Sequence, residues 1–131
     1  MTCKVYFFNL TDCEKNFFET NKYDIFDIVF FETDLNETTI EQLIKDDLDS
    51  VMMLCINQNS KITQNMLKKF KNLRLISTRT KAIDNIDISA CFENNIAIAN
   101  VENEGDCCEN LKTVFAGMSS YLCGSKDYRI I

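Results

Sequence analysis

Val51-Met52-Met53-Leu54-Cys55-Ile56 is apolar at every position, and the polar run Asn57-Gln58-Asn59-Ser60 follows at once. A strand with one wet face alternates between apolar and polar residues. A strand covered on both faces does not, so this stretch reads as a central strand of a parallel sheet with helices above and below. The same grammar extends in both directions. Upstream, Lys4-Val5-Tyr6-Phe7-Phe8 reads as a strand. Thr11 and Glu14 have capping-box spacing and open a helix through Phe17 and Phe18. Residues 25–31 form a second strand of β-branched and aromatic residues. Asn36 or Thr38 then caps a helix that carries Ile40, Leu43, Ile44 and Leu48 at helical spacing.

Downstream, Thr63 caps a helix with Met66, Leu67 and Phe70 inward, and residues 73–78 form the next strand. Asp87 or Ser89 starts a short helix through Ala90-Cys91-Phe92 that ends at Asn94-Asn95, a pair suited to a left-handed helix end. Residues 96–101 form the last strand, and residues 107–122 a long helix with Leu111, Val114, Phe115, Met118 and Leu122 in one stripe. Five strands alternating with five helices predict a parallel sheet with right-handed crossovers. The expected fold is α/β: a flavodoxin-like three-layer sandwich with strand order 2-1-3-4-5. Residues 1–123 make one domain and residues 124–131 an irregular tail.

The 131 residues are 46% hydrophobic and 26% charged, which excludes a disordered or collagen-like chain. There is no His, which removes imidazole acid–base chemistry and His-bound zinc. Glycine occurs only at positions 105, 117 and 124, so no glycine-rich phosphate loop can be written and no cofactor is expected. The net charge of −6 argues against direct nucleic-acid binding. The densest basic cluster, Lys68, Lys69, Lys71 and Arg74, reads as a solvated helix end.

No apolar run approaches the roughly 20 residues that span a bilayer, and no targeting segment opens the chain, so a cytoplasmic protein off the membrane is expected. The seven cysteines, Cys3, Cys13, Cys55, Cys91, Cys107, Cys108 and Cys123, are then expected to be reduced. Cys3, Cys55 and Cys91 fall in apolar stretches and read as core. The vicinal pair Cys107-Cys108 could serve redox or soft-metal chemistry but reads first as structural.

Ligands of open α/β sheets bind beyond the carboxyl ends of the strands. That edge offers Asn57 and Asn59 after the third strand, Arg79, Thr80 and Lys81 after the fourth, and Glu102, Glu104 and Asp106 after the fifth. Arg79 or Lys81 could hold a carboxylate or phosphate. The edge lacks a paired acid and base, so no catalytic residue and no metal ligand is assigned.

The run Asn72-Leu73-Arg74-Leu75-Ile76-Ser77-Thr78-Arg79-Thr80-Lys81-Ala82-Ile83-Asp84-Asn85-Ile86-Asp87-Ile88 resembles the D-2-hydroxyacid dehydrogenases, especially the D-lactate dehydrogenase branch. There the segment reads approximately N-L-K-L-I-x-T-R-S-T-G-F-D-H-I-D-L, followed by A-x-x-x-G-I-x-V-x-N-V-P. This chain continues with Ala90 and then Asn95-Ile96-Ala97-Ile98-Ala99-Asn100-Val101-Glu102. The resemblance reaches to about Met118 and implies the flavodoxin-like, substrate-binding domain of that family.

Family members are more than twice as long, and their G-x-G-x-x-G loop and catalytic Arg, Glu and His lie beyond this stretch. A domain truncated before its nucleotide-binding partner is therefore expected. The substrate side also departs from the family. Ala82 takes the place of a glycine where backbone amides approach the substrate carboxylate, and Lys81 replaces a threonine. Glu102 replaces a proline, and Glu104 aligns with a tyrosine that helps hold substrate.

The resemblance and its losses imply a non-catalytic relic used as a protein-interaction or regulatory module. Its protein partner would be unidentified, or it would form a homodimer through Leu111, Val114, Phe115, Met118 and Leu122. Alternatives are an acidic inhibitor of a nucleic-acid-processing enzyme, a small-molecule sensor using Arg79 and Lys81, and one half of a split NAD-dependent dehydrogenase.

Overall fold

The computed structural model describes residues 2–124 and Ile131. Five parallel strands, β1 (Cys3–Phe7), β2 (Phe26–Phe30), β3 (Met53–Ile56), β4 (Leu75–Thr78) and β5 (Ala97–Ala99), run in the order β2-β1-β3-β4-β5. Between them lie α1 (Asp12–Thr20), α2 (Lys45–Leu48), α3 (Gln64–Leu67), α4 (Ile88–Glu93) and, last, α5 (Cys107–Leu122). The strand order agrees with the expectation. Residues 125–130 of the expected irregular tail lie outside the described residues. Ile131 donates its N–H to the Ile98 carbonyl at 2.8 Å, so the chain end meets the free edge of β5.

Register places two rows of side chains on opposite faces. Val5, Met53, Leu75 and Ala97 pair across the sheet on one face, and Tyr6, Leu54, Ile76 and Ile98 on the other. The first row packs under α1 and α5 with Phe17, Leu111, Val114, Phe115 and Met118. The second packs against Ile40, Leu48, Met66, Leu67, Ala90 and Cys91, from the segments around α2, α3 and α4. Both rows are covered, which is why β3 carries no polar residue.

Local chemistry sets the helix starts. Thr11 and Glu14 form the reciprocal capping box, the Glu14 N–H reaching Thr11 Oγ1 at 3.3 Å and the Thr11 N–H reaching Glu14 Oε1 at 3.0 Å. Asp87 caps α4 by accepting from the Ala90 N–H at 3.0 Å. Asn9 and Asn95 take positive φ of 60° and 57°, a conformation that asparagine tolerates better than most residues.

Two helix expectations need correction. The helix proposed through Ile40, Leu43, Ile44 and Leu48 is broken into a 3₁₀ turn, Thr39–Gln42, and α2, with extended backbone at Leu43 and Ile44. Ile44 turns outward and is 67% exposed. A continuous helix would carry Asp46, Asp47 and Asp49 at its negative carboxyl end. The break instead puts Asp46 and Asp47 in the first turn of α2, where carboxylates are favoured. Thr63 occupies the cap position of α3 without capping it, because its hydroxyl donates to Glu37 Oε1 at 2.7 Å.

Candidate functional site

The loops after β3, β4 and β5 meet at the carboxyl edge of the sheet, and most of their polar groups are joined to one another. Arg79 has the parity of Leu75 and Ser77, so it points under α1 and α5 rather than out of the edge. Its Nε lies 2.6 Å from Glu14 Oε2, and both side chains are buried. Its Nη2 donates to the carbonyls of Phe8 at 2.8 Å and Asn9 at 3.1 Å. Its Nη1 lies 3.7 Å from Cys55 Sγ, and the guanidinium sits 4.2 Å from the centre of the Phe7 ring. Arg79 as the holder of an external carboxylate is thus corrected. A buried guanidinium must be paired, and this one is used up tying β4 to β1 and α1. Burial pushes the Cys55 thiol up to about 11, although the neighbouring Arg79 charge works the other way.

Thr80 is also buried. Its hydroxyl bonds that of Thr78 at 2.7 Å and donates to the Ala82 carbonyl at 2.9 Å. Asn57 accepts the Asn59 N–H at 3.0 Å, and its carbonyl takes Asn85 Nδ2 at 3.0 Å. Ser60 joins this loop to Asn9, donating to Asn9 Oδ1 at 2.8 Å while accepting the Leu35 N–H at 2.9 Å. Asn9 in turn donates to Asp34.

Of the expected site residues, Lys81 and Glu104 are brought together. The Lys81 N–H donates to Glu104 Oε1 at 2.6 Å, and the Lys81 carbonyl accepts from Asn100 Nδ2 at 2.7 Å. The side chains of Asn59, Lys81, Glu102 and Glu104 stay exposed, and Asn57 is half-buried.

The interface stripe is corrected as well. Leu111, Val114, Phe115 and Met118 are core residues, 0–4% exposed. Phe115 stacks on Tyr23 at 4.6 Å between ring centres and meets Phe18 and Phe26 edge-on at 5.4 and 5.6 Å. The sheet and α1 cover this face of α5, so no second domain is needed to bury it. Leu122 alone of the five is exposed; with Ile25 and Met52 it lines an apolar hollow of about 330 Å³. The Lys68, Lys69 and Lys71 cluster borders a separate groove of about 550 Å³, where Lys69 pairs with Glu41 at 2.9 Å and Lys71 with Asp49 at 3.5 Å.

The reduced state expected of all seven cysteines is contradicted for two of them. Cys13, in the first turn of α1, and Cys107, in the first turn of α5, form a disulfide. They are 94 positions apart, and only the meeting of the two helix ends makes them neighbours. The Cys108 sulfur lies close by, all three sulfurs falling within 4.8 Å of one another. Sequence reasoning singled out the vicinal pair Cys107-Cys108 but missed its partner Cys13 and the role of Glu14. For Cys13, 94 positions from Cys107, there was no local signal. For Glu14 there was one, since it shares a helix face with Phe17 and Phe18 and therefore points inward.

A family profile described as D-isomer specific 2-hydroxyacid dehydrogenase, catalytic domain, matches residues 5–106. The chain belongs to the D-2-hydroxyacid dehydrogenase family. Its fold is shared with D-lactate dehydrogenase from Escherichia coli, at 20% identity over 76% of this chain and 31% of that one, TM-score 0.64. D-lactate dehydrogenase from Aquifex aeolicus matches at 21% identity over 88% of this chain and 33% of that one, TM-score 0.65. The pyruvate reductase of Chlamydomonas reinhardtii matches at 18% identity over 92% of this chain and 37% of that one, TM-score 0.66. The chain thus spans about a third of the length of these dehydrogenases. No curated protein matches it in sequence. No helix among the described residues is long and apolar enough to cross a membrane.

Proposed function

We propose that this dehydrogenase-family domain is a non-catalytic protein-interaction or regulatory module. The observation that carries this reading is the bond from the Lys81 N–H to Glu104 Oε1. In the family resemblance, backbone amides at this turn approach the substrate carboxylate, and Glu104 stands where a substrate-holding tyrosine is expected. Here the chain supplies its own carboxylate to that amide. A 2-oxo acid would have to displace Glu104 and would also meet Glu102 and Asp106. Each close like charge opposes it by roughly 1 kcal/mol or more. The partner contact is proposed at Ile25 and Leu122, exposed apolar side chains that line one hollow, rather than at the buried stripe of α5.

The test is calorimetry of the full chain with pyruvate and with oxamate, alongside NADH oxidation. No heat and no turnover are expected, with weak pyruvate binding emerging in Glu104→Ala. Pyruvate binding by the unaltered chain would overturn the reading. A second reading, one half of a split dehydrogenase, is favoured by family membership. It requires pyruvate-dependent NADH oxidation once a nucleotide-binding domain from a D-lactate dehydrogenase is added.

A further inference from the structure

We infer that Cys13, Cys107 and Cys108, once the Cys13–Cys107 bond is reduced, bind a single soft cation of the copper(I) class. The three sulfurs already lie within 4.8 Å of one another on two helix ends that the fold holds together. Phe18 of α1 meets Phe115 of α5 at 5.4 Å between ring centres, a contact independent of the disulfide, so reduction frees two sulfurs while α1 and α5 stay packed. Cys13 and Cys108 are exposed and Cys107 is half-buried, which leaves the cluster open to an incoming ion.

The donor set selects the ion. Thiolates favour soft metals, and the chain has no imidazole to offer. Structural zinc sites take four protein ligands. Among the described residues no carboxylate oxygen joins the three sulfurs in the cluster, and Asp106 caps α5 through the Glu109 N–H at 2.9 Å. Three sulfurs without a fourth protein donor suit the three-coordinate geometry open to a monovalent d¹⁰ ion.

Three thiolates around such an ion carry a net charge of −2. They sit in the first turns of α1 and α5, nine and sixteen residues long, where the helix dipoles favour negative charge. Exposed Cys123 lies outside the three-sulfur group, and the buried thiols are poorer competitors. Cys3, Cys55 and Cys91 are buried, and burial pushes Cys55 and Cys91 up to about 11.

The chemistry balances. A dithiol reductant supplies two electrons and two protons to the Cys13–Cys107 bond and becomes a cyclic disulfide. The ion then displaces three thiol protons to buffer and forms three metal–sulfur bonds, with no change in its own oxidation state. The oxidised chain has two of its three donors tied up in the disulfide and cannot close the site.

The test uses the full chain, reduced with dithiothreitol, desalted without oxygen, and titrated with copper(I) against bicinchoninate. One equivalent should bind, with a sulfur-to-copper absorption in the near ultraviolet. Cys108→Ser should weaken binding by more than the roughly 100-fold that loss of a supporting outer group costs. Cys108 is exposed and outside the disulfide, so this variant keeps the fold, which circular dichroism checks. Cys123→Ser should leave affinity unchanged, and the oxidised chain should take up no copper. Unchanged affinity in Cys108→Ser, loss of binding in Cys123→Ser, or tighter retention of zinc(II) than of copper(I) would each overturn the assignment.

Discussion

The two faces of the sheet are covered by different means. Over one face, α1 and α5 are held by an aromatic cluster around Phe115, a buried Arg79–Glu14 pair and the Cys13–Cys107 bond. Over the other, α2, α3 and α4 are helices of four to six residues whose hold is mainly aliphatic packing. The ion pairs on that side, Lys69–Glu41 and Lys71–Asp49, are surface contacts. The first face therefore depends on a few residues that do two jobs each. Glu14 caps α1 and also balances a buried guanidinium. The second face spreads its stability over many small contributions.

Truncation on the first face should do the most damage. Phe115→Ala removes a ring that meets the aromatic side chains of Phe7, Phe18, Tyr23 and Phe26, and a loss of about 3–5 kcal/mol is expected in urea unfolding. Ile40→Val, on the second face, should cost only about 0.5–1.5 kcal/mol. Equal losses would break the contrast.

Glu14→Ala strands Arg79 without its carboxylate and should also cost about 3–5 kcal/mol. Adding Arg79→Met should recover much of that loss, because an apolar pair avoids the desolvation penalty. If the double variant is no better than the single one, the pair is not the reason for the loss.

Reducing the disulfide, which closes a loop across 94 positions, should lower stability by roughly 2–4 kcal/mol. Cys91→Ser on the other face should leave that reductant effect intact.

Stability should also depend on pH. The Cys55 and Cys91 thiols, ordinarily near 9.0, are pushed up to about 11 in the fold by burial. The unfolded chain loses those protons first, so the contribution is whole below about pH 9 and declines until about pH 11. Stability rising over that window would contradict the burial of both thiols.

Asp87→Ala, which removes the α4 cap, should cost only about 1 kcal/mol by thermal unfolding.

Period and spacing were legible for most local features, the broken helix at Leu43–Ile44 and the uncapped Thr63 being the exceptions. The unbroken apolar run of β3, the Thr11–Glu14 capping box, the Asp87 start and Asn95 end of α4, and the bounds of α5 all follow from neighbours in the chain. The family resemblance was equally visible, because the motif around residues 72–101 lies within one continuous stretch.

The site was legible only in part. Arg79 was read as reaching for a ligand because its position after a strand is the usual place for one. Its parity with Leu75 and the inward face of Glu14 send it the other way, and that becomes decisive only when packing brings Glu14 of α1 within 2.6 Å of the guanidinium. The stripe of α5 was read as a docking face because amphipathic spacing says that a face is buried and not what buries it.

By itself, the sequence determined the order and type of most elements, the doubly covered sheet and the family, since these follow from periodicity and local backbone preference. Only the tertiary structure decided which charges pair, which thiols meet and which carboxylate occupies the Lys81 amide. Those contacts join residues 23 to 94 positions apart, and no local preference encodes a distance between segments until packing brings them within bonding range.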